Sequence, residues 1–318
     1  MTGRLAAVTG ATGFLGRHIV RALADAGWRV RILARRDPIH PLWRGLSPKV
    51  VIGGLEDAAT LQRLADGADA VVHVAGLIKA RSRAAFDAVN VAGAQRMARA
   101  TDPTSHFLLV SSLAAREPQL SDYAASKRAG EKAVRAIVPT CTIVRPPAVY
   151  GPGDVETFTL FKAAASSPVL PVFDPRARIA MVHAEDAGRQ IAELAGGTLA
   201  GRTVVLSDGA LQGYGWREMM SAAAQATGTR PRLILLPDGI LHLLGAAGAL
   251  ARAFGATPML TPGKARELTH LDWSISPQES YLGETPPMFE IHKGFQQTVA
   301  WCRREGWLSP VQESATVP

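Results

Sequence analysis

The sequence predicts an α/β fold in which a doubly wound parallel sheet is followed by a smaller C-terminal region. Three observations lead to this prediction. Apolar β-type runs alternate with helical segments over the first 145 residues, a glycine-rich turn follows the first of these runs, and the alternation becomes irregular after Arg145. Alternating strands and helices form parallel sheets covered on both faces, and such sheets bind ligands at the carboxyl ends of their strands.

The first elements are an apolar strand at residues 5–8, a glycine turn at residues 9–16 and an amphipathic helix that ends near residue 26. The glycines permit a tight turn, the approach of a pyrophosphate to the backbone, and close packing of the helix on the strand. The helix N-terminus would face the anion. This order predicts a Rossmann-type dinucleotide site, whose candidate cofactor-binding residues are Gly10, Thr12, Gly13, Phe14, Leu15 and Gly16.

Further strands of the sheet are predicted at residues 29–33, 50–52, 70–74, 107–111 and 140–144. Residues 1–150 are therefore assigned to a cofactor-binding domain that also carries the catalytic residues. Residues 151–318 are assigned to a mainly substrate-binding region, some elements of which return to the sheet. Helices in this region are predicted near residues 154–165, 185–194 and 216–226.

Composition narrows the choice of partner. The chain has 318 residues, 47% of them hydrophobic, and can bury a large core. Its net charge of +8 is spread without a block of like charges. This pattern disfavours nucleic acid and favours a small-molecule substrate or cofactor that carries phosphate. Cys141 and Cys302 are too far apart in sequence for a metal motif, so free thiols and no metal are predicted, with Cys141 in the core.

The N-terminus shows no charged region followed by an apolar stretch and a cleavage site, so a cytoplasmic location is predicted. The most apolar window, residues 239–251, is shorter than the ~20 residues that cross a bilayer. A buried or pocket-lining helix is favoured there over membrane contact. No integral membrane segment is expected.

A second group of candidate residues follows the strand predicted at residues 107–111. Ser112 comes directly after it, and Tyr123 and Lys127 lie four residues apart, so they share one face of a helix. A phenol has an ordinary pKa of about 10 and needs a neighbouring cation to exchange protons at neutral pH. Lys127 can supply that charge, while Ser112 holds the reacting oxygen during hydride transfer to or from a nicotinamide. The predicted catalytic residues are Ser112, Tyr123 and Lys127.

These residues resemble the extended short-chain dehydrogenase/reductase superfamily, which includes NAD(P)-dependent epimerases, dehydratases and reductases. The resemblance spans nearly the whole chain. It is carried by residues 9–16, 73–76, 90–91, 145–154 and 182–186, together with Ser112, Tyr123 and Lys127.

The resemblance implies further site residues. Ala75 and Gly76 would border the nicotinamide ribose, and Pro146 and Val149 would lie near the nicotinamide, as would Tyr123 and Lys127. For His73, Asn90 and Asp186 a structural role is at least as well supported as a catalytic one. Relatives often pair through the helices that carry Asn90 and Tyr123, so the resemblance also implies a homodimer.

The end of the second strand indicates the cofactor. NAD-binding sites usually place an acidic residue there, but this chain has Ala34, followed by Arg35 and Arg36. Guanidinium groups pair bidentately with phosphate oxygens, so these arginines predict binding of the 2′-phosphate of NADP(H). The alternative is NAD(H), with Asp37 receiving the ribose hydroxyls.

Near the adenine the chain departs from its relatives. Gly54 takes the place where relatives often carry an Asp, and Leu55 and Asp57 are the remaining candidate contacts. The segment between Ser112 and Tyr123 is also short, and no acidic pair lies beside the serine. These departures disfavour a sugar-nucleotide substrate and dehydration chemistry.

Two basic residues, Lys79 and Arg178, are candidates for binding an anionic group of the substrate. An ordinary loop charge explains Lys79 equally well, and an ordinary strand charge is the favoured interpretation of Arg178. The apolar stretches 233–236 and 239–250 favour a lipophilic substrate instead, because they resemble the segments that cover a lipophilic pocket in steroid and flavonoid reductases. We therefore expect a hydrophobic or amphiphilic ketone or secondary alcohol.

Three function classes follow. An NADP(H)-dependent reductase or dehydrogenase is favoured. The first alternative is an NAD(P)-dependent sugar epimerase that uses the same serine, tyrosine and lysine. The second is a non-catalytic dinucleotide-binding regulator or assembly factor, against which the intact catalytic set argues.

Overall fold

The computed structural model describes residues 3–197, 199–253 and 260–309. Its strands are β1 (Leu5–Thr9), β2 (Arg29–Ala34), β3 (Lys49–Ile52), β4 (Ala70–His73), β5 (His106–Val110), β6 (Thr142–Arg145), β7 (Ala148–Tyr150), β8 (Val169–Val172), β9 (Arg178–Ile179), β10 (Met181–His183), β11 (Thr203–Leu206), β12 (Arg232–Leu235), β13 (Asp272–Trp273) and β14 (Ser280–Tyr281).

The helices interleave with these strands. They are α1 (Phe14–Asp25), α2 (Ala58–Ala65), α3 (Arg83–Asp87), α4 (Ala94–Ala100), α5 (Asp122–Ile137), α6 (Val155–Ser166), α7 (Ala184–Leu194), α8 (Trp216–Thr227), α9 (Asp238–Ala253), α10 (Pro262–Thr269) and α11 (Ile291–Arg304). A π-helical segment (Ala88–Gly93) joins α3 to α4 without a break.

One parallel sheet of eight strands, in the order β14-β11-β6-β5-β4-β1-β2-β3, dominates the molecule. The strand order reverses between β1 and β4. Doubly wound sheets bind ligands beyond the carboxyl ends of the strands at such a switch point. The predicted α/β fold is therefore confirmed, and the strands lie within two residues of their predicted positions. Two strands from the C-terminal region, β11 and β14, extend this sheet.

The sheet strands are runs of apolar residues because both faces of a parallel sheet are covered by helices. All residues of β1 and β4 are buried. One core cluster includes Ile19 of α1 and Ile191 of α7, and these two helices pack against each other. Another, on the other face, includes Leu61 of α2, Met97 of α4 and Val134 of α5. Because α7 returns to cover the sheet, the C-terminal half helps to complete the helical layer on this face of the sheet.

A separate apolar cluster forms the core of the C-terminal region. Phe295 of α11 lies at its centre, with edge-on rings of Tyr150 and Phe161 at 5.1 and 4.9 Å. Short two-stranded parallel sheets, β7 with β10, β8 with β12 and β9 with β13, surround this cluster. The division into domains at residue 150 stays a prediction, and residues 310–318 of its second part lie outside the described residues.

The apolar helix predicted at residues 239–250 is α9, but only one face of it is buried. Leu241, Gly245 and Gly248 are buried, whereas Leu243 and Leu244 are 71% and 52% exposed. The interpretation as a buried helix therefore applies to one face alone. In the part of the chain that the structure describes, no helix is long and apolar enough to cross a membrane.

Candidate functional site

The glycine turn lies at the switch point between β1 and β4. Gly10 has φ +69°, and a Cβ placed on it would lie 2.5 Å from the Ala75 backbone nitrogen. A Cβ on Gly16 would overlap the Gly10 carbonyl oxygen. Gly13 is the N-cap of α1 and provides no side-chain cap, and the first turn carries no acidic residue. The first N–H groups of α1 therefore face a cradle without side chains, which fits a dinucleotide pyrophosphate.

A buried hydrogen-bond pair joins the ends of β1 and β4. Thr9 Oγ1 lies 2.9 Å from His73 Nδ1 and accepts a hydrogen bond from the Ala75 N–H at 3.3 Å. Burial lowers the pKa of His73 to about 3, so its ring is neutral at physiological pH. These contacts hold Ala75 beside the glycine turn, which gives His73 a structural role.

Asn90, in the π-helical segment, fixes the loop that follows β4. Its Oδ1 accepts from the Leu77 N–H at 2.8 Å, and its Nδ2 donates to the Leu77 carbonyl and to Ser126 Oγ at 3.1 and 2.9 Å. Ser126 Oγ in turn donates to the Tyr123 carbonyl at 2.7 Å. The loop is thereby anchored to α5, and a Cβ on Gly76 would lie 3.5 Å from Lys127 Nζ. Asn90 is thus a positioning residue between the predicted cofactor loop and α5.

The structure brings Ser112, Tyr123 and Lys127 together at the carboxyl end of β5. Ser112 lies two residues beyond the strand, and its hydroxyl accepts a hydrogen bond from the Ala114 N–H at 3.2 Å. The same hydroxyl is near enough to the Tyr123 phenol to lower its pKa. Tyr123 is the second residue of α5, and Lys127 follows one turn later. Lys127 Nζ donates to the Val110 carbonyl at 2.9 Å, which holds the ammonium against the strand end.

Burial sets the protonation of these groups. It raises the pKa of Tyr123 to about 12, an effect opposed by the hydrogen bond from Ser112. It lowers the pKa of Lys127 to about 8, against the attraction of Glu131. At neutral pH the phenol therefore keeps its proton and most Lys127 side chains are charged. A neutral phenol beside a cation can donate a proton to an oxygen that gains negative charge.

A buried ion pair lies below this cluster. Glu131, one turn after Lys127, accepts hydrogen bonds from Arg145 Nε and Nη2 at 2.8 and 2.6 Å and from Ser111 Oγ at 2.6 Å. The Glu131 and Arg145 side chains are 4% and 8% exposed. Sequence reasoning missed Glu131, although its spacing of four residues from Lys127 places it on the same helix face.

At the end of β2, two exposed arginines follow a buried alanine. Ala34 is buried, and Arg35, Arg36 and Asp37 are exposed. Within the described ranges neither arginine makes an ion pair with an acidic side chain. Both guanidinium groups are therefore available to a phosphate.

The candidate adenine contacts have structural partners. Asp57 is the N-cap of α2: it accepts from the Thr60 N–H at 3.2 Å and from the Thr60 hydroxyl, and these bonds lower its pKa. Leu55 packs toward Gly93, where an added Cβ would lie 2.9 Å from Leu55 Cδ1. The Asp57 carboxylate is therefore engaged by its own helix.

The nicotinamide-side candidates lie on the chain that leaves β6. The Pro146 carbonyl accepts from the Leu113 N–H at 2.9 Å, which ties this chain to the residue after Ser112. Val149 lies in β7 and pairs in register with Val182. Both residues are thus connected to the strand ends that carry the candidate site.

The two basic substrate candidates make other contacts. Lys79 Nζ forms an exposed ion pair with Glu156 Oε1 at 2.5 Å. Arg178 Nη1 donates to the carbonyls of Pro175 and Ala177 at 3.1 and 3.0 Å. No contact joins either side chain to the serine, tyrosine and lysine cluster among the residues described.

Helix α10 covers the start of α5, a contact that sequence reasoning did not predict. Arg266 Nε donates to the Leu120 carbonyl at 2.8 Å, and the Ser121 hydroxyl donates to the Glu267 carboxylate. The negative charge of Glu267 also contributes to the raised pKa of Tyr123. The C-terminal region therefore reaches the site through α10.

The sequence model of the NAD dependent epimerase/dehydratase family matches residues 6–194. A ceramide reductase from Caulobacter vibrioides is 54% identical over 308 residues, which cover 95% of this chain and 95% of that protein. A 2'-dehydrokanamycin reductase from Streptomyces kanamyceticus is 30% identical over 247 residues, or 70% of this chain and 66% of that protein.

The fold is similar to that of a dTDP-glucose 4,6-dehydratase from Streptomyces venezuelae solved with NAD bound. The TM-score is 0.71 at 22% identity, over 96% of this chain and 99% of that one. The family match and the reductases among its relatives identify an NAD(P)-dependent enzyme of the oxidoreductase type. The chain belongs to the NAD dependent epimerase/dehydratase family.

Proposed function

We propose that this protein is an NADPH-dependent reductase that converts a ketone on a long-chain amide lipid, the oxidised form of a ceramide, to the secondary alcohol. The observation that carries this proposal is the cluster of Ser112, Tyr123 and Lys127 at the carboxyl end of β5, beside the glycine turn. A neutral phenol, a partly buried cation and a serine hydroxyl there match the needs of carbonyl reduction.

Each residue has a distinct role. NADPH, when bound, supplies the hydride. The Ser112 hydroxyl donates a hydrogen bond to the ketone oxygen and holds it beside the phenol. Tyr123 gives its proton to that oxygen as negative charge develops on it. Lys127 stabilises the resulting phenolate, since an opposite charge nearby favours the ionised form. The buried Glu131 carboxylate favours the charged state of Lys127.

The choice of substrate is supported by similarity and by chemistry. The 54% identical relative is named a ceramide reductase. The long-chain base of a ceramide carries a secondary hydroxyl, and hydride addition to the corresponding ketone forms such a group. Large apolar side chains of α9 and β12 lie in the C-terminal region, which agrees with an amphiphilic substrate.

The preference for NADP(H) is supported by Arg35 and Arg36 after the buried Ala34. A paired fluorescence titration with NADPH and NADH should show at least about tenfold tighter binding of NADPH, or about 1.4 kcal/mol. The double variant Ala34→Asp with Arg35→Ser should shift the cofactor preference from NADPH toward NADH. Unchanged relative affinities would overturn the assignment, and Asp37 would then become the candidate ribose ligand.

The function is tested by incubating the protein with NADPH and the ketone form of a short-chain ceramide, and measuring alcohol by mass spectrometry. Tyr123→Phe should reduce turnover by about 10²-fold or more while cofactor binding is kept. Tyr281→Phe is the matched control, because the Tyr281 hydroxyl contacts Glu193 at the sheet edge instead. Full activity of Tyr123→Phe would refute the proposed role.

A further inference from the structure

The C-terminal region carries an apolar face that no other element within the described residues covers. We use the term apolar face for the exposed apolar residues of α9, of β12 and of the β8 strand paired with it. Their exposed fractions run from 38% at Ile240 to 71% at Leu243. The members are Val169, Ile234, Ile240, Leu243 and Leu244.

This face is not the packing surface of α9. The opposite side of the helix packs on α10, where a Cβ on Gly245 would lie 3.1 Å from the Ala265 Cβ. Leu241 on that side belongs to the C-terminal core. The outward leucines therefore take no part in the internal packing of α9. Clustered exposed apolar residues often mark an interaction surface.

Basic residues border the apolar face. Arg230 and Arg232 are exposed, and Arg232 lies opposite Val169 in the β8–β12 pair. Neither arginine forms an ion pair within the residues that the structure describes. An acidic residue, Asp238, begins α9, where a carboxylate is favoured by the helix dipole. Protruding leucines beside unpaired arginines, in a chain of net charge +8, complement an apolar layer beneath anionic headgroups.

The apolar face is joined to the candidate site by a single helix. α10 packs on α9 and contacts the residues just before Tyr123: a Cβ on Gly263 would lie 2.8 Å from the Ser121 Cβ, and Arg266 binds the Leu120 carbonyl. A surface that rests on α9 would therefore lie beside the helix that covers the start of α5.

We infer that the apolar face docks the enzyme on an anionic phospholipid bilayer, from which it takes its lipid ketone. A helix with one apolar face lies in the plane of the membrane interface and does not span it. Docking itself rests on the exposed leucines and arginines alone, whereas the identity of the extracted lipid rests on the proposed function.

The test is co-sedimentation of the full chain with phosphatidylcholine vesicles that contain phosphatidylglycerol, in the absence of substrate and cofactor. Leu243→Asp should lower the partition coefficient by about tenfold or more, since it places a charge in the apolar layer. Leu282→Asp, at a site 39% exposed beyond β14, is the matched control and should bind as the parent does.

A second pair of variants tests the charges. Arg230→Gln with Arg232→Gln should lower binding by about fivefold for each arginine, and raised salt should have the same effect. Arg96→Gln with Arg99→Gln, on exposed positions of α4, should have little effect. If the protein bound pure phosphatidylcholine vesicles as strongly as the anionic vesicles, the proposed role of the arginines would be overturned.

Turnover measurements on two ketones distinguish membrane docking from the proposed reductase function. The ratio of turnover on a bilayer-embedded ketone to turnover on a water-soluble short-chain ketone should fall in Leu243→Asp. Vesicle binding without reduction of either ketone would support docking and refute the function. Turnover of both ketones without vesicle binding would support the proposed function and refute docking. The parent protein could instead fail to bind vesicles and self-associate in light scattering, with the self-association lost in Leu243→Asp. That result would assign the apolar face to contact with a second copy of the chain and overturn docking.

Discussion

Replacing Glu131 by glutamine should both destabilise the protein and change the pH dependence of its reductase activity. The substitution keeps the volume of the side chain but removes the charge that accepts two hydrogen bonds from Arg145 and one from Ser111. Arg145 is then a buried cation without its counter-ion. Breaking a buried pair from one side costs about 3–5 kcal/mol of unfolding free energy, whereas exposed pairs contribute about 0–1 kcal/mol.

The assay is urea unfolding followed by circular dichroism, with the free energies of the variants compared under one set of conditions. Glu305→Gln is the control, because Glu305 is 47% exposed and lies 3.7 Å from Arg304. Adding Arg145→Met to Glu131→Gln should recover part of the loss, since no charge is then left buried alone. A Glu131→Gln variant whose unfolding free energy lies within about 1 kcal/mol of the parent value would show that the buried pair contributes no more than an exposed one.

The same variant should alter catalysis in a defined direction. The negative charge of Glu131 raises the pKa of Lys127, so its removal moves that pKa further below about 8. The loss of reductase activity with rising pH should then begin at a lower pH than in the parent. A destabilised variant whose pH profile is unchanged would show that Glu131 supports the fold but not the charge of Lys127.

The remaining predictions concern the cofactor cradle and the proton donor. Gly16→Ala should weaken dinucleotide binding by about tenfold or more, because its Cβ overlaps the Gly10 carbonyl. Gly239→Ala, where an added Cβ meets nothing within 4 Å, should bind normally in the same titration. In the parent, kcat/KM for ketone reduction should fall as pH rises through about 8, because Lys127 loses its charge there. A profile that is flat across that range would contradict the role of Lys127.

Much of the fold was predictable because its determinants are local. β1 and α1 follow from an apolar run, a glycine turn and a helical periodicity that no distant contact overrides. The spacing of Tyr123 and Lys127 likewise placed them on one face of α5, and the structure brings Ser112 to the same point because β5 ends there. Parallel strands align their carboxyl ends, so residues that follow different strands meet without being close in sequence.

The rest depended on partners far away in the chain. Lys79 pairs with Glu156, 77 residues on, and nothing near Lys79 indicates that contact. Asp57 was assigned to the cofactor although its spacing to Thr60 also suits the N-cap that it forms. For α9, the apolar composition predicted a helix but not which face would stay exposed, because that is decided by the packing of α10.

Transfer of deuterium from NADPH to the product distinguishes a ketone reductase from an epimerase. The protein is incubated with NADPH labelled at the transferable position and the ketone form of a ceramide, and both the alcohol and the oxidised cofactor are quantified. We expect one NADP⁺ per alcohol, with deuterium on the carbinol carbon, and loss of both in Tyr123→Phe. Formation of a rearranged or epimerised product without net oxidation of NADPH would contradict it.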